Sequence, residues 1–357
     1  MQKAKIRLPW TPIDLCPCSS GLTLKRCCGG IDGSPRASKF DLERASDQTG
    51  INLKGCYLAK HANCGSKISL EHPISRNILE QFSNFALRGF KDTDGTIDVI
   101  IPAKSAGYKV LCDRHNSDLS SLDDHAGRFF RDLGPAVFPI RHPQDENLLN
   151  WVFVDGPKIE AWAIKVIAAH QAVGNFTERG VPVSYQTDWN KIHRAILKGQ
   201  FEPKGGLYIC AARSPNEIDG VQFSAISSQG WLIGVRLVVR GFSFAVLFDP
   251  ERASEDTLPA NATYRGSVHQ LFGQGGSAFL FIAWHHRPNL RSYSRGQLYY
   301  SQTGSSSTAP FKLLDGPPQQ DIRTKVRPSK PEDALAFAPQ PVGPVHPASP
   351  PLTKQHR

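Results

Sequence analysis

The stretch CYLAKHANCGSKISLEHPISRNIL at residues 56–79 and the stretch KVLCDRHNSDLSSLDDHAG at residues 109–127 decide how this chain folds. Each stretch carries cysteine or histidine residues at the spacing of soft metal ligands. Structural zinc takes four such ligands in a tetrahedral shell. The two stretches together predict one zinc site, with the ligands Cys56, Cys64, Cys112 and His115. His61 is a rival ligand, because His61 and Cys64 also have knuckle spacing.

A second set of polar residues accompanies the predicted zinc ligands. Residues 68–71 alternate between apolar and polar, as a half-buried strand does, and His72 follows where that strand turns. Residues 116–130 are predicted to be helical. Asn116 and Asp123 lie seven residues apart, two turns of a helix, so they face the same way. One histidine, one asparagine and one aspartate can therefore converge beside the zinc.

This order of strand, knuckle and helix resembles the HNH endonuclease finger, a treble-clef or ββα-metal fold, over residues 56–130. The resemblance implies that His72 is the general base, and that Glu71 and Asn116 ligate Mg²⁺ or Mn²⁺. In divergent relatives an acidic residue further along the helix, here Asp123, joins the site. The family's middle asparagine has no counterpart in AKSAGYKVLC at residues 103–112, which favours an inactive finger as the alternative.

Each of these site residues also has an ordinary structural interpretation. His72 can be a hydrogen-bonded histidine at a strand end, and Asn116 can cap the helix. Asp123 and Asp124 can form a solvated helix face. The neighbouring zinc knuckles favour the catalytic interpretation for His72.

A separate cysteine module lies at residues 16–28, which read CPCSSGLTLKRCC. So short a segment cannot build a core, so bound metal would supply its folding energy. It resembles the SEC-C motif, and the resemblance implies binding of a protein or nucleic-acid partner. The predicted ligands of a second structural zinc are Cys16, Cys18, Cys27 and Cys28. The alternative is a redox-active cysteine cluster.

Composition is consistent with a nucleic-acid partner. The 357 residues carry a net charge of +10, and the sequence pI is about 9.2. A basic excess favours an anionic partner, nucleic acid before membrane, and the family resemblance favours DNA over RNA. No apolar run is long enough to span a membrane, and the N-terminus lacks the apolar run of a signal peptide. We expect a cytoplasmic, bacterial protein.

We predict an α+β chain in which two small zinc-stabilised modules, at 1–32 and 51–135, precede a larger domain at 136–302. That domain is expected to have helices at 157–173 and 188–200 and a mostly antiparallel sheet. Glu160 and Lys165, on the first helix, are expected to be surface charges. The proline-rich residues 303–357 are predicted to be a disordered tail.

The sequence therefore predicts a divalent-metal-dependent endonuclease of HNH type. The family resemblance alone suggests a role in defence against foreign DNA. The alternative function is a catalytically inactive, zinc-binding adaptor for nucleic acid or protein. Neither the role of the larger domain nor the oligomeric state follows from the sequence.

Overall fold

Helix α3, Gly156–Ala172, is the apolar centre around which the other elements pack, and every residue from Ile159 to His170 is buried. The Trp162 ring contacts Phe130 and Phe223 from two different layers, with centroids 5.2 and 5.6 Å away. The structure is a computed structural model that describes residues 9–16, 22–29, 36–37, 41–42, 49–81, 84–88, 107–141, 148–178, 181–210, 220–240, 242–273, 276–285 and 293–297. All of these belong to one unit, Lys5–Leu314.

The larger sheet has six strands and packs against α3. Its spatial order is β11 (Thr263–Tyr264), β7 (Gly206–Cys210), β10 (Phe242–Leu247), β9 (Trp231–Val239), β8 (Gly220–Ser228) and β2 (Asn84–Arg88). All neighbours pair antiparallel except β2 and β8, which are parallel. Strands β9 and β10 are consecutive and antiparallel, with Val239 opposite Phe242.

The second sheet has four strands and packs against helix α2 (Asp113–Arg141). Its spatial order is β14 (Tyr293–Gln297), β12 (Val268–Gly273), β13 (Gly276–Ala283) and β4 (Leu148–Asp155). The central pair is antiparallel and both outer strands are parallel to their neighbours. Trp10, from the N-terminal segment, packs on this sheet, with its ring centroid 5.7 Å from that of Phe281.

The predicted finger is a two-stranded antiparallel ladder followed by a long helix. Strand β1 (Ile68–Glu71) pairs with β3 (Tyr108–Cys112), and the short helix α1 (Arg76–Leu79) lies between them in the chain. Helix α2 starts directly after Cys112 and runs through residue 135, where the sequence analysis places a domain boundary. The division at 1–32, 51–135 and 136–302 stays a prediction.

The remaining regular elements are a short hairpin and one amphipathic helix. Strands β5 (Phe176–Glu178) and β6 (Val181–Val183) pair antiparallel. Helix α4 (Trp189–Lys198) is capped by Asp188. Its carboxylate accepts the backbone N–H groups of Asn190 and Lys191, as an N-cap does. The mixed α/β class, both predicted helices of the larger domain and its antiparallel strands are confirmed. The predicted tail at 303–357 lies outside the described residues.

The expectation that Glu160 is a surface charge is wrong. Its side chain is fully buried on α3 and accepts two hydrogen bonds from the Arg265 guanidinium, at 2.9 and 3.0 Å. The backbone N–H of Leu207 donates a third, at 2.6 Å. Burial raises the pKa of Glu160 in spite of these partners. The helical pattern does not reveal the burial of Glu160, because its partners lie far along the chain.

Among the described residues, no helix has the length and apolarity needed to cross a bilayer.

Gly156, at the first turn of α3, leaves no room for a larger residue. A Cβ atom there would lie 2.5–2.7 Å from carbons of the buried Trp284 ring. We expect Gly156→Ala to lower the free energy of unfolding by about 1–3 kcal/mol, the usual cost of overpacking, measured by urea denaturation. The control is Gly127→Ala in α2, whose Cβ would first meet the exposed Asn77 side chain, which can move into solvent. Equal stability of the two variants would contradict the expectation.

Candidate metal centres and the adjoining site

The structure brings Cys56, Cys64, Cys112 and His115 together in one buried cluster. The Nδ1 atom of His115 lies 3.3 Å from the Sγ atoms of Cys56 and Cys112, and 3.9 Å from that of Cys64. In a tetrahedral shell with ordinary zinc–ligand bond lengths, a sulfur and a nitrogen are about 3.5 Å apart. The four side chains therefore have the composition and the spacing of a structural zinc site.

Three local structures position these ligands. Cys56 and Cys64 flank a short 3₁₀ turn at Ala59–His61, and Cys112 ends strand β3. The Cys112 Sγ atom accepts the backbone N–H groups of Gly65 and His115, at 3.2 and 3.3 Å. Such donors stabilise a thiolate and orient it toward a metal. His115 lies in the first turn of α2, so the four candidate ligands join the β1–β3 ladder to the helix.

Burial shapes the proton affinities in this cluster. It raises the pKa of the Cys56 thiol to about 12 and lowers the pKa of His115 to about 4. The imidazole is therefore neutral at physiological pH, as a ligand must be, and the Cys56 thiol would release its proton only to a bound cation. The rival ligand His61 is not part of the cluster, and its ring packs against His193 with centroids 4.9 Å apart.

The N-terminal segment forms a second, smaller cluster, of Cys16, Cys27 and Cys28. The Sγ atoms of Cys27 and Cys28 are 3.7 Å apart, and two sulfurs of a tetrahedral zinc shell are about 3.8 Å apart. Leu24, fully buried, is the apolar anchor of the turn, and its carbonyl accepts the N–H of Gly29 at 2.6 Å. The fourth predicted ligand, Cys18, lies outside the described residues.

Residues 14–30 match the SEC-C motif. This short segment contains all four predicted ligands of the N-terminal cluster. Comparisons of the chain with curated proteins and with solved structures give no match. The SEC-C motif is therefore shown for the N-terminal module, and the resemblance of residues 56–130 to an HNH finger stays a hypothesis.

Two of the predicted catalytic residues lie on the partly exposed side of the finger. The Asn116 Nδ2 atom donates to the Ser69 Oγ and to the Leu70 carbonyl, at 3.2 and 3.4 Å. Asn116 thus contacts the strand that leads directly to His72, which is partly exposed. Asn116 is inside the first turn of α2, which begins at Asp113, so it does not cap the helix. The two hydrogen bonds orient the amide and leave its Oδ1 atom as the acceptor.

The other two, Glu71 and Asp123, face the core. Both carboxylates contact the ammonium of Lys165 on α3, each at 2.6 Å. The contact with Asp123 Oδ2 has hydrogen-bond geometry, whereas that with Glu71 Oε1 is an ion pair alone. The Trp162 indole, one turn earlier on α3, donates to Asp123 Oδ1 at 3.2 Å. The side chains of Lys165, Glu71 and Asp123 are 0%, 2% and 14% exposed.

The expectation that Lys165 is a surface charge is therefore wrong. Burial alone would lower its pKa, but the two carboxylates outweigh burial and raise it, so the lysine stays charged. The sequence carries a signal that we missed: AWAIKVIAA places this lysine in a helix that is apolar on every side. A charge in such a position needs a buried partner of opposite sign. The neighbouring acid Asp124 is exposed, as a solvated helix face requires.

These contacts decide which residues fit a hard divalent cation. Glu71 and Asp123 do not fit in this arrangement, because an ammonium lies where their oxygens converge. Of the predicted ligands, the Asn116 Oδ1 atom remains. A single neutral oxygen would suit only a cation that keeps several waters, as Mg²⁺ commonly does.

We expect the purified chain to carry two zinc ions, and Cys112→Ser to carry one. The substitution removes one of four ligands and leaves the SEC-C cluster intact. Zinc per chain is measured by inductively coupled plasma mass spectrometry after dialysis. Cys210→Ser is the control, since Cys210 is buried in β7, away from both clusters, and should keep two ions. A wild-type count of zero would contradict the metal assignment for both clusters.

A second prediction concerns the pH dependence of stability. Burial raises the pKa of Glu71 despite Lys165. Below its ordinary pKa the carboxyl is protonated in both states. As pH rises from the ordinary pKa to the raised folded pKa, the unfolded chain ionises first, so the stability that neutral Glu71 contributes is lost over that window. We expect Glu71→Gln to melt a few degrees higher than wild type at pH 7.5 and equally at pH 4, measured by calorimetry. Glu80→Gln, at an exposed ion pair with Arg76, should show no such difference.

Proposed function

We propose that this protein is a nuclease that hydrolyses phosphodiester bonds in nucleic acid with the help of a divalent cation. The observation that supports this most is the hydrogen bond from Asn116 to the carbonyl of Leu70 in strand β1. Leu70 lies two residues before His72, and Asn116 follows His115 of the Cys₃His cluster. Asn116 and His72 are both partly exposed, and Asn116 binds the strand that leads to His72.

The proposed roles follow from side-chain chemistry. His72 is the general base in this proposal, because a neutral imidazole can take a proton from the attacking water. Asn116 would hold the divalent cation through its amide oxygen. When bound, that cation neutralises charge on the scissile phosphate and on the leaving oxygen. Glu71 and Asp123, the other predicted catalytic residues, take a supporting role in this proposal.

The surface charge of the finger favours a polyanionic substrate. Four exposed lysines lie in or next to its turns and strands: Lys54, Lys60, Lys67 and Lys109. Together with the net charge of +10 they would attract a phosphate backbone at long range. We propose DNA before RNA as the substrate, and a protein or nucleic-acid partner for the SEC-C module.

A second candidate function is a zinc-stabilised adaptor that binds nucleic acid or protein and does not cleave. The observation that favours it is that both acidic residues of the predicted catalytic set are paired with Lys165. Without them the site has only neutral donors, and a neutral amide is a weak ligand for Mg²⁺.

Cleavage of supercoiled plasmid with Mg²⁺ or Mn²⁺ distinguishes the two functions. For the nuclease, we expect His72→Ala to slow cleavage by roughly 10²–10⁴-fold, the usual contribution of a general base. Asn116→Ala should also lose most of the activity. The controls are His285→Ala, at an exposed histidine outside the finger, and Ser117→Ala, at the exposed position after Asn116. Both should cleave as wild type does.

A gel-shift assay with the same variants completes the test. Binding without cleavage by the wild type would support the adaptor and contradict the nuclease. Cleavage that is equal in wild type and His72→Ala would contradict the role of His72. Retention of both zinc ions in each variant shows that the finger is still folded.

A further inference from the structure

The position of Lys165 has a consequence for metal binding. Its ammonium lies 2.6 Å from Glu71 Oε1 and 2.6 Å from Asp123 Oδ2. The Glu71 carboxylate comes from the end of β1, and the Asp123 carboxylate comes from α2, two turns after Asn116. Two converging carboxylates are a common protein site for Mg²⁺ or Mn²⁺. Here the position between them is occupied by a side-chain cation.

A lysine and a divalent ion cannot share this position. Carboxylate oxygens lie about 2.0–2.6 Å from Mg²⁺ or Ca²⁺, so a metal held by both oxygens would overlap the ammonium. Lys165 also has nowhere to move, because its side chain is fully buried among the apolar residues of α3. Displacing it would leave an unpaired buried charge, which is strongly unfavourable.

We infer that Lys165 is the permanent counter-cation of Glu71 and Asp123, and that it keeps divalent metal ions off this carboxylate pair. Trp162 supports the arrangement, since its indole N–H occupies the other oxygen of Asp123. The contacts of Glu71 and Asp123 with Lys165 fix the end of β1 and the part of α2 around Asp123 against α3. Any catalytic cation is then confined to the outer side of the finger, at Asn116.

This inference concerns the site of the proposed nuclease, but its test requires no cleavage. Mn²⁺ alone is titrated into the zinc-loaded full chain by isothermal calorimetry, without nucleic acid. The variants are Glu71→Gln and Asp123→Asn, which are isosteric and remove one negative charge each. Asp124→Asn, at the exposed neighbouring acid, is the matched control for a change in overall charge.

We expect wild type, Glu71→Gln and Asp123→Asn to bind Mn²⁺ equally, within twofold, whether that is one ion or none. A loss of tenfold or more in Glu71→Gln or Asp123→Asn, but not in Asp124→Asn, would overturn the inference, because the carboxylate would then be a metal ligand. Plasmid cleavage by wild type is scored separately. A protein that does not cleave, but shows equal Mn²⁺ binding, would contradict the nuclease and support the role of Lys165.

Lys165→Met provides the converse test. If this variant folds, we expect it to gain a Mn²⁺ site that the wild type lacks, at least tenfold tighter than any wild-type binding. Adding Glu71→Gln to Lys165→Met should remove that gained site. A folded Lys165→Met with wild-type Mn²⁺ binding would overturn the inference. If Lys165→Met fails to fold, as judged by circular dichroism and zinc content, the glutamine and asparagine variants decide alone.

Discussion

A charge buried in an apolar helix must be matched by opposite charge from elsewhere, and helix α3 carries two such charges. Lys165 contacts Glu71 and Asp123 of the finger, and Glu160 binds Arg265 and the N–H of Leu207 at the larger sheet. An unpaired ion in either position would cost several kcal/mol. The two ion pairs therefore fix how the finger and the larger sheet pack on the same helix. The apolar contacts of Trp162 complete this arrangement but would tolerate more variation.

The two candidate metal-binding modules are attached to the rest of the protein in different ways. The Cys₃His cluster is continuous with the core, because His115 lies in the first turn of α2, a helix that packs on the second sheet. The SEC-C segment is attached through residues on either side of it. Trp10 packs on aromatic residues of the second sheet, and the backbone N–H of Ala37 donates to the carbonyl of Trp284. The first module is thus part of the core, whereas the second is attached through the residues that flank it.

Local patterns predicted much of this structure. The Cys₃His ligands follow from spacing, and helices α3 and α4 follow from apolar periodicity and from the cap at Asp188. Strands β2, β4 and β14 did not follow, because each forms a parallel ladder with a partner that is distant in sequence. The orientation of Glu71 was missed for the same reason. A carboxylate next to a histidine in the sequence suggests a catalytic pair. The position of Lys165 shows instead that Glu71 faces the core, whereas His72 is partly exposed.

The ion pairs of Lys165 also affect how the finger behaves as a part. A zinc finger is commonly a portable unit, whose metal alone supplies its folding energy. In this protein the acidic residues of the finger are paired with Lys165, which belongs to a helix that follows the finger in the chain. Cut out at residues 51–135, it would keep its four zinc ligands but expose two carboxylates with no counter-ion and an uncovered apolar helix face. The finger is thus an integral layer of a larger protein, and it cannot be transplanted without the helix on which it rests.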